Sequence, residues 1–256
     1  MSSPKISGAI IARNEEENIL EAVLSLFFAD QIIVADTGSS DRTIEIAERA
    51  GAEVYKIKFE GFGKTKNKAL EFCKGEWVFF LDADERVSED LAKNIMKAAA
   101  DNSNTAGFIA NRLTYFLGKP VRHSGWHPDY VLRFFRREKG KISSRLVHES
   151  VIVDGPVGNL DGLLIHYSYK NIEQYLDKMN EYSSLSAKEM FGSGRKFRFV
   201  DFISRPVSVF LKMFIFKAGF LDGFNGFLLA VLSSYHVLIK YAKLQRLWNS
   251  NNEIAK

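Results

Sequence analysis

Apolar and polar positions along the first hundred residues fall into alternating short runs and helical stripes. The continuous apolar run from Ile6 to Ala12 predicts a parallel strand covered on both faces. Asn14 then offers a helix N-cap, with Glu15, Glu16 and Glu17 in the first turn and Ile19, Val23, Leu26 and Phe27 as the core stripe. Gln31 to Ala35 reads as a second strand, Ser39-Ser40-Asp41 as the cap of a helix ending at Gly51, and Val54 to Ile57 as a third strand. A helix is predicted around Lys66 to Lys74, with Gly75 as its C′ residue. A strand from Trp77 to Leu81 follows, ending at Asp82, and Ser88 caps a helix running to about Ala99. This β-α-β-α-β-α-β order calls for a parallel sheet with right-handed crossovers, whose ligands bind beyond the carboxyl ends of the strands.

After Thr105 the pattern changes. Short strands and turns, among them Gly118-Lys119-Pro120 and Asp154-Gly155-Pro156, predict an antiparallel extension up to Tyr169 that covers the strand ends. From Asn171, Ile172, Tyr175, Leu176, Met179, Tyr182 and Leu185 recur at helical spacing. Gly192 to Lys196 reads as a linker, followed by the apolar stretches Val207 to Phe216 and Gly223 to Ile239.

Charge changes the picture of this last part. The chain of 256 residues carries a formal charge of only +4, but positions 195–246 hold nine Lys/Arg against Asp201 and Asp222. Basic residues mixed with Phe and Leu suit an anionic membrane surface. The roughly 17 uncharged residues from Gly223 to Ile239 fall short of a bilayer span and include Asn225, Ser233, Ser234 and His236. The expectation is therefore helices lying in the membrane interface, with a dimerisation or core-packing element as the rival. No helix-turn-helix, zinc-finger or RNA-binding signature is present, so nucleic acid is not expected as a partner. Cys73 is the single cysteine, which excludes an intrachain disulfide and fits a reducing compartment. With no signal-peptide pattern at the start, the expected location is cytoplasmic, peripheral on the inner face of the membrane.

Three polar segments follow predicted strands: Arg13-Asn14-Glu15, Asp36-Thr37-Gly38 and Asp82-Ala83-Asp84. A strand-terminal Asp36 can accept hydrogen bonds from a base or a ribose, beside a glycine that permits close backbone approach. Two carboxylates spaced as Asp82-x-Asp84 suit Mg²⁺ or Mn²⁺ bridging the phosphates of a nucleotide; a solvated turn capping the next helix is the plainer reading.

The ordered set Ile-Ile-Ala-Arg-Asn-Glu-Glu, Val-Ala-Asp-Thr-Gly-Ser-Ser-Asp-Arg-Thr, Lys-Asn-Lys-Ala-Leu and Phe-Leu-Asp-Ala-Asp-Glu resembles the inverting glycosyltransferase family 2. Val-Leu-Arg-Phe-Phe-Arg-Arg, Leu-Val-His-Glu, Ile-His-Tyr and Ala-Gly-Phe-Leu-Asp-Gly look like its lipopolysaccharide core glucosyltransferase branch. The resemblance implies a GT-A fold, a Rossmann-like, mostly parallel sheet flanked by helices, to which the residue pattern adds the antiparallel acceptor-side extension and the membrane-associating helical segment. Residues 1–170 would form the catalytic domain and residues 171–256 the helical region.

For single positions it implies that Asp36 contacts the uridine base, with Ala12, Arg13 and Glu15 lining that pocket. Lys66 and Asn67 would lie beside the diphosphate or donor sugar, Asp82 would reach the ribose or sugar, and Asp84 the metal. Thr37 stands where many relatives have a second Asp, leaving the base contact to Asp36.

Inverting transfer needs a general base for the attacking hydroxyl. Glu149 matches the branch's motif for it, with Asp129 as the alternative and a structural salt bridge as the remaining reading. His166 is a candidate for the metal shell, or a satisfied core histidine. Trp126, with His123 and His127, lies in the expected acceptor wall, and His148 stands beside the base. Arg133 and Arg136, in a run with Arg137, Lys139, Lys141 and Arg145, suit a phosphorylated or carboxylated acceptor. The implied reaction takes a hexose from a UDP-sugar, most naturally UDP-glucose, to a heptose of the lipid-linked lipopolysaccharide inner core. Capsule or polyprenyl-linked oligosaccharide synthesis, nucleotidyl transfer and a non-catalytic membrane scaffold remain as alternatives, and the oligomeric state is not read.

Overall fold

A computed structural model of the protein describes residues 5–101, 103–143 and 150–254. The chain divides into two compact units, Met1–Leu113 with Asp129–His166, and Thr114–Pro128 with Tyr167–Lys256.

In the first unit the strands β1 (Ile6–Ala12), β2 (Gln31–Asp36), β3 (Glu53–Lys56) and β4 (Trp77–Asp82) pair in parallel in the order β3-β2-β1-β4. The sheet continues through β8 (Asp129–Arg136), antiparallel to β4, and β6 (Gly107–Phe116), antiparallel to β8 and edged by the two-residue β7 (Lys119–Pro120), to β11 (Val157–Tyr169) and the short β5 (Glu85–Val87), which is antiparallel to β11. Successive strand residues point to opposite faces, and the core divides accordingly. Ile10, Val34, Trp77, Phe79 and Leu81 face helices α1 (Ile19–Ser25), α2 (Thr43–Arg49) and α4 (Glu89–Ala100). Ala9, Ile33, Val78 and Phe80 face α3 (Phe62–Leu70) and Ile142 of β9 (Gly140–Ile142), which pairs with β10 (Val151–Val153). Trp77 stacks on Phe134 at 4.7 Å, which fixes β4 against β8.

Local departures from the sequence reading have physical causes. Asn14 is not a helix cap: it takes a left-handed φ of 55° and helix α1 starts only at Ile19. The short α1 closes at Leu26, so Phe27, expected in the core stripe, is left exposed. Helix α3 starts at Phe62, earlier than expected, and ends before Gly75. Gly75 serves a different need: a Cβ there would sit 2.6 Å from the Ser7 backbone nitrogen, and its own N–H donates to Ser7 Oγ. Ser88 caps α4 as expected, accepting from Leu91 N–H. Cys73 is buried, and burial pushes its thiol up to about 12, so it is an inert core residue.

The second unit is helical: α5 (Ile172–Gly192), α6 (Phe199–Leu211) and α7 (Gly223–Ile254), with a π turn at Lys212–Phe216 and a 3-10 turn at Gly219–Asp222. Asn171 caps α5 by accepting from Gln174 N–H. Tyr175 and Met179 of α5 pack with Phe116, Val121 and Leu229. The apolar stretch expected from Gly223 to Ile239 is the first half of the longer α7.

Candidate active site

Parallel pairing sets Ala12 opposite Asp36 and Ile11 opposite Asp82. The carboxyl ends of β2, β1 and β4 therefore form one row, with Asp36 and Asp82 about 10 Å apart at two strand spacings. The loops after β1 and β2 are laced together. Asn14 N–H donates to Ser39 Oγ at 2.9 Å, Ser40 N–H to Asn14 Oδ1 at 2.8 Å, and Glu15 N–H to Thr43 Oγ1 at 2.7 Å. Buried Asp36 turns back into this lacework, accepting from Gly38 N–H, Ser39 N–H and the Ser39 hydroxyl. Gly38 is needed because its φ is +103°.

Beyond β4 lies a chain of alternating charge. Lys66 Nζ approaches Asp82 Oδ1 at 3.3 Å, and Arg133 Nη2 donates to Asp82 Oδ2 at 2.5 Å and to Glu85 Oε1 at 2.7 Å. Glu85, fully buried, also accepts the Asp82 N–H at 3.0 Å and Arg112 Nη1 at 3.2 Å. Arg112 Nε closes the chain on Asp129 Oδ2 at 2.9 Å. Burial alone would raise the Asp82 carboxyl, but the neighbouring Arg133 and Lys66 outweigh it and hold it well below the usual carboxylate range. Desolvation works against the Arg133 charge, and Asp82 and Glu85 more than offset it, so Arg133 stays a cation.

Removing Glu85 leaves two guanidiniums without their shared carboxylate. Glu85→Ala is expected to cost about 3–5 kcal/mol, a drop of roughly 10 °C in melting temperature. A thermal melt that moves by less than about 2 °C would show that the network adds nothing to stability.

A tight turn at Ala83-Asp84 leads from β4 into β5, whose Glu85 pairs with His166 of β11. That register brings His166 Nε2 to 3.4 Å from Asp84 Oδ2, both side chains partly open. A carboxylate oxygen and an imidazole nitrogen thus stand side by side at the mouth of the turn. Among the described residues no group of three or more His, Cys, Asp or Glu side chains is gathered to hold a metal ion.

The family model described as "Glycosyl transferase family 2" matches residues 7–155. The chain belongs to this family. An uncharacterized glycosyltransferase of Rickettsia typhi is 30% identical over 98% of this chain and 90% of its own. The lipopolysaccharide core biosynthesis glycosyltransferase LpsC of Rhizobium meliloti is 30% identical over 93% of this chain and 91% of its own, which sets the protein with the lipopolysaccharide-core branch of the family. The mannosyltransferase PcManGT of Pyrobaculum calidifontis, solved with GDP-Man and Mn²⁺, shares the fold at a TM-score of 0.55 and 13% identity, over 97% of this chain and 88% of that one. The protein is thus a family 2 glycosyltransferase with a GT-A-like α/β architecture.

Other expected positions of this glycosyltransferase fall differently. Asn67 spends its amide on Ile142, donating to its carbonyl at 2.9 Å and accepting its N–H at 3.0 Å, so it clamps β9. Arg133, expected on the acceptor side, is instead the partner of Asp82. Arg136 pairs with Trp77, at the opposite end of β4 from Asp82 and roughly 16 Å along the strand. There it lies over the Trp77 ring at 4.5 Å and binds Glu76, which is a packing role. Trp126 belongs to the second unit, packed edge-on against Phe116. Glu149 and His148 lie outside the described residues. Glu85, read from the sequence as a salt-bridging or capping residue, is the ion-paired centre of this network, whereas Arg112 was not foreseen, because its place beside Asp129 depends on the register of β6 on β8.

Proposed function

We propose that the protein transfers glucose from UDP-glucose to a heptose of the lipopolysaccharide inner core, inverting the anomeric carbon, at the inner face of the cytoplasmic membrane. The observation that carries this reading is the Lys66–Asp82–Arg133 cluster beside Asp84 and His166, in a chain whose relative LpsC is named for lipopolysaccharide core biosynthesis. Asp84 and His166 would hold Mn²⁺ or Mg²⁺, which fits an oxygen–imidazole pair that leaves the other positions to diphosphate oxygens and water. When bound, the cation offsets the charge that builds on the departing UDP.

The chain's own residues do the rest. Lys66 and Arg133 present fixed cations where the diphosphate ends, and Asp82, kept ionised between them, accepts hydroxyl groups of the ribose or sugar. Asp36, within the pocket of Ala12, Arg13 and Glu15, receives the uracil imide in exchange for the Ser39 hydroxyl. Glu149 takes the proton of the attacking heptose hydroxyl. PcManGT, which shares the fold and was solved with GDP-Man and Mn²⁺, is in keeping with a nucleotide-sugar donor and a divalent cation.

A donor screen by thermal shift tests the reading. UDP-glucose with Mn²⁺, at about a hundred times its Kd, is expected to raise the melting temperature by roughly 5–10 °C, and UDP-glucose without metal by much less. A larger shift from GDP-mannose than from any UDP-sugar would overturn the donor assignment.

A further inference from the structure

The second unit carries apolar surface that its own packing does not use. Helices α6 and α7 run antiparallel: Ser234 Oγ donates to the Pro206 carbonyl at 2.8 Å, while Phe210 and Phe214 meet Phe227 edge-on at 6.1 and 5.7 Å. On the outside of α6, Phe199, Ile203, Val207 and Leu211 recur every four residues and are exposed. The stripe runs on to the apex of the hairpin, where Phe216 is 80% exposed and Phe224 73%, flanking exposed Phe220 and Leu221. An apolar face this continuous marks an interaction surface.

The apex is held in shape. Ala218 takes a left-handed φ of 51°, and a Cβ on Gly226 would sit 1.9 Å from the Gly219 carbonyl oxygen. Asp222 accepts the backbone N–H groups of Arg122 and His123 at 3.1 and 2.9 Å, and the His123 ring lies 2.9 Å from it. The charge around the apex has one sign. Lys212 and Lys217 flank it, the side chain of Asp222 is only 6% exposed, and Asp201 is engaged by Arg205 and Arg195 at 3.4 and 3.8 Å.

We propose that this apex enters an anionic phospholipid bilayer from one side, with Phe216, Phe220 and Phe224 among the acyl chains and Lys212 and Lys217 at phosphate level. The proposal rests on the reading of the acceptor as lipid-borne and adds how the enzyme reaches it. By length and composition alone α7 is able to cross a membrane. Its second half, however, is bound into the protein. Tyr241 and Leu244 are buried, Lys243 Nζ donates to the Asn180 carbonyl, Asn180 Oδ1, Ser183 Oγ and Ser184 Oγ at 2.7–2.8 Å, and Trp248 Nε1 donates to the Arg195 carbonyl. A span would strip those bonds. A second copy on the same face would set its cationic rim against an identical one.

Flotation of the full chain with vesicles decides. The protein is expected to float with phosphatidylglycerol-containing vesicles, weakly with pure phosphatidylcholine, and to be released by alkaline carbonate. Phe216→Ser/Phe224→Ser is expected to lose about 100-fold in vesicle partitioning with UDP-glucose binding unchanged, since both residues are exposed and outside the first unit. Wild-type protein left with the buffer, a double variant that floats equally well, resistance to carbonate, or a dimer that the double variant dissociates would each overturn the proposal. Wild type that floats but binds no UDP-sugar would strike the transferase reading and leave the anchor standing.

Discussion

Replacing Asp84 by Asn is expected to lower glucosyl transfer by about 10³-fold with the melting temperature unchanged. The substitution keeps the size of the side chain and removes its charge, at a partly open position in the turn between β4 and β5. An amide oxygen is a weaker ligand than a carboxylate for a hard cation, so part of the loss should return at high Mn²⁺. If Asp84 and His166 hold the cation, the two of them would leave its other positions to the diphosphate, so Mn²⁺ binding to the wild type should strengthen sharply once UDP is added, and calorimetry with and without UDP reads this directly. Asp84→Asn protein with full activity and unchanged metal dependence would remove Asp84 from the site.

Glu149→Gln is expected to cut kcat by 10²–10⁴-fold, the usual contribution of a general base, with the affinity for UDP-glucose nearly unchanged. Gln preserves shape and hydrogen bonding but takes no proton. Asp129→Asn should lose less, because the Asp129 Oδ2 already binds Arg112 through both Nε and Nη2 at 2.9 and 2.7 Å. The carboxylate is occupied as the last link of the Glu85 network. Steady-state kinetics of the two variants separate the roles, and a reversed order of losses would make Asp129 the base.

How much of this was legible before the structure differs from element to element. Strands β1, β2 and β4 were legible because strands covered on both faces must be apolar throughout, and Ala9, Ile10, Phe79 and Phe80 are all fully or almost fully buried. Ser88 was legible because its side chain does the capping itself. Phe27 was not, since a stripe at helical spacing says nothing of where a helix closes, and α1 ends one turn too soon to bury it.

Strand β5 escaped for another reason. Glu-Arg-Val has no strand pattern, and only pairing with β11 makes it one. At the site, the acidic segments following strands pointed to Asp36, Asp82 and Asp84, because position at a strand end depends on local order alone. The roles of Arg133, Arg136 and Asn67 depend on long-range partners at 51, 60 and 75 residues' separation, which no local pattern encodes. The long apolar C-terminal stretches were visible, whereas which of their faces stays open emerged only from the packing of α6 on α7.

Analysis of the products reads the reaction itself. The protein is incubated with UDP-glucose, Mn²⁺ and a heptose-terminated inner-core glycolipid, and the products are followed by mass spectrometry and NMR. One hexose added to the glycolipid, UDP released in equal amount, and an anomeric configuration opposite to that of the donor are expected. Release of pyrophosphate, a retained configuration, or an unmodified glycolipid alongside free glucose would contradict this reaction.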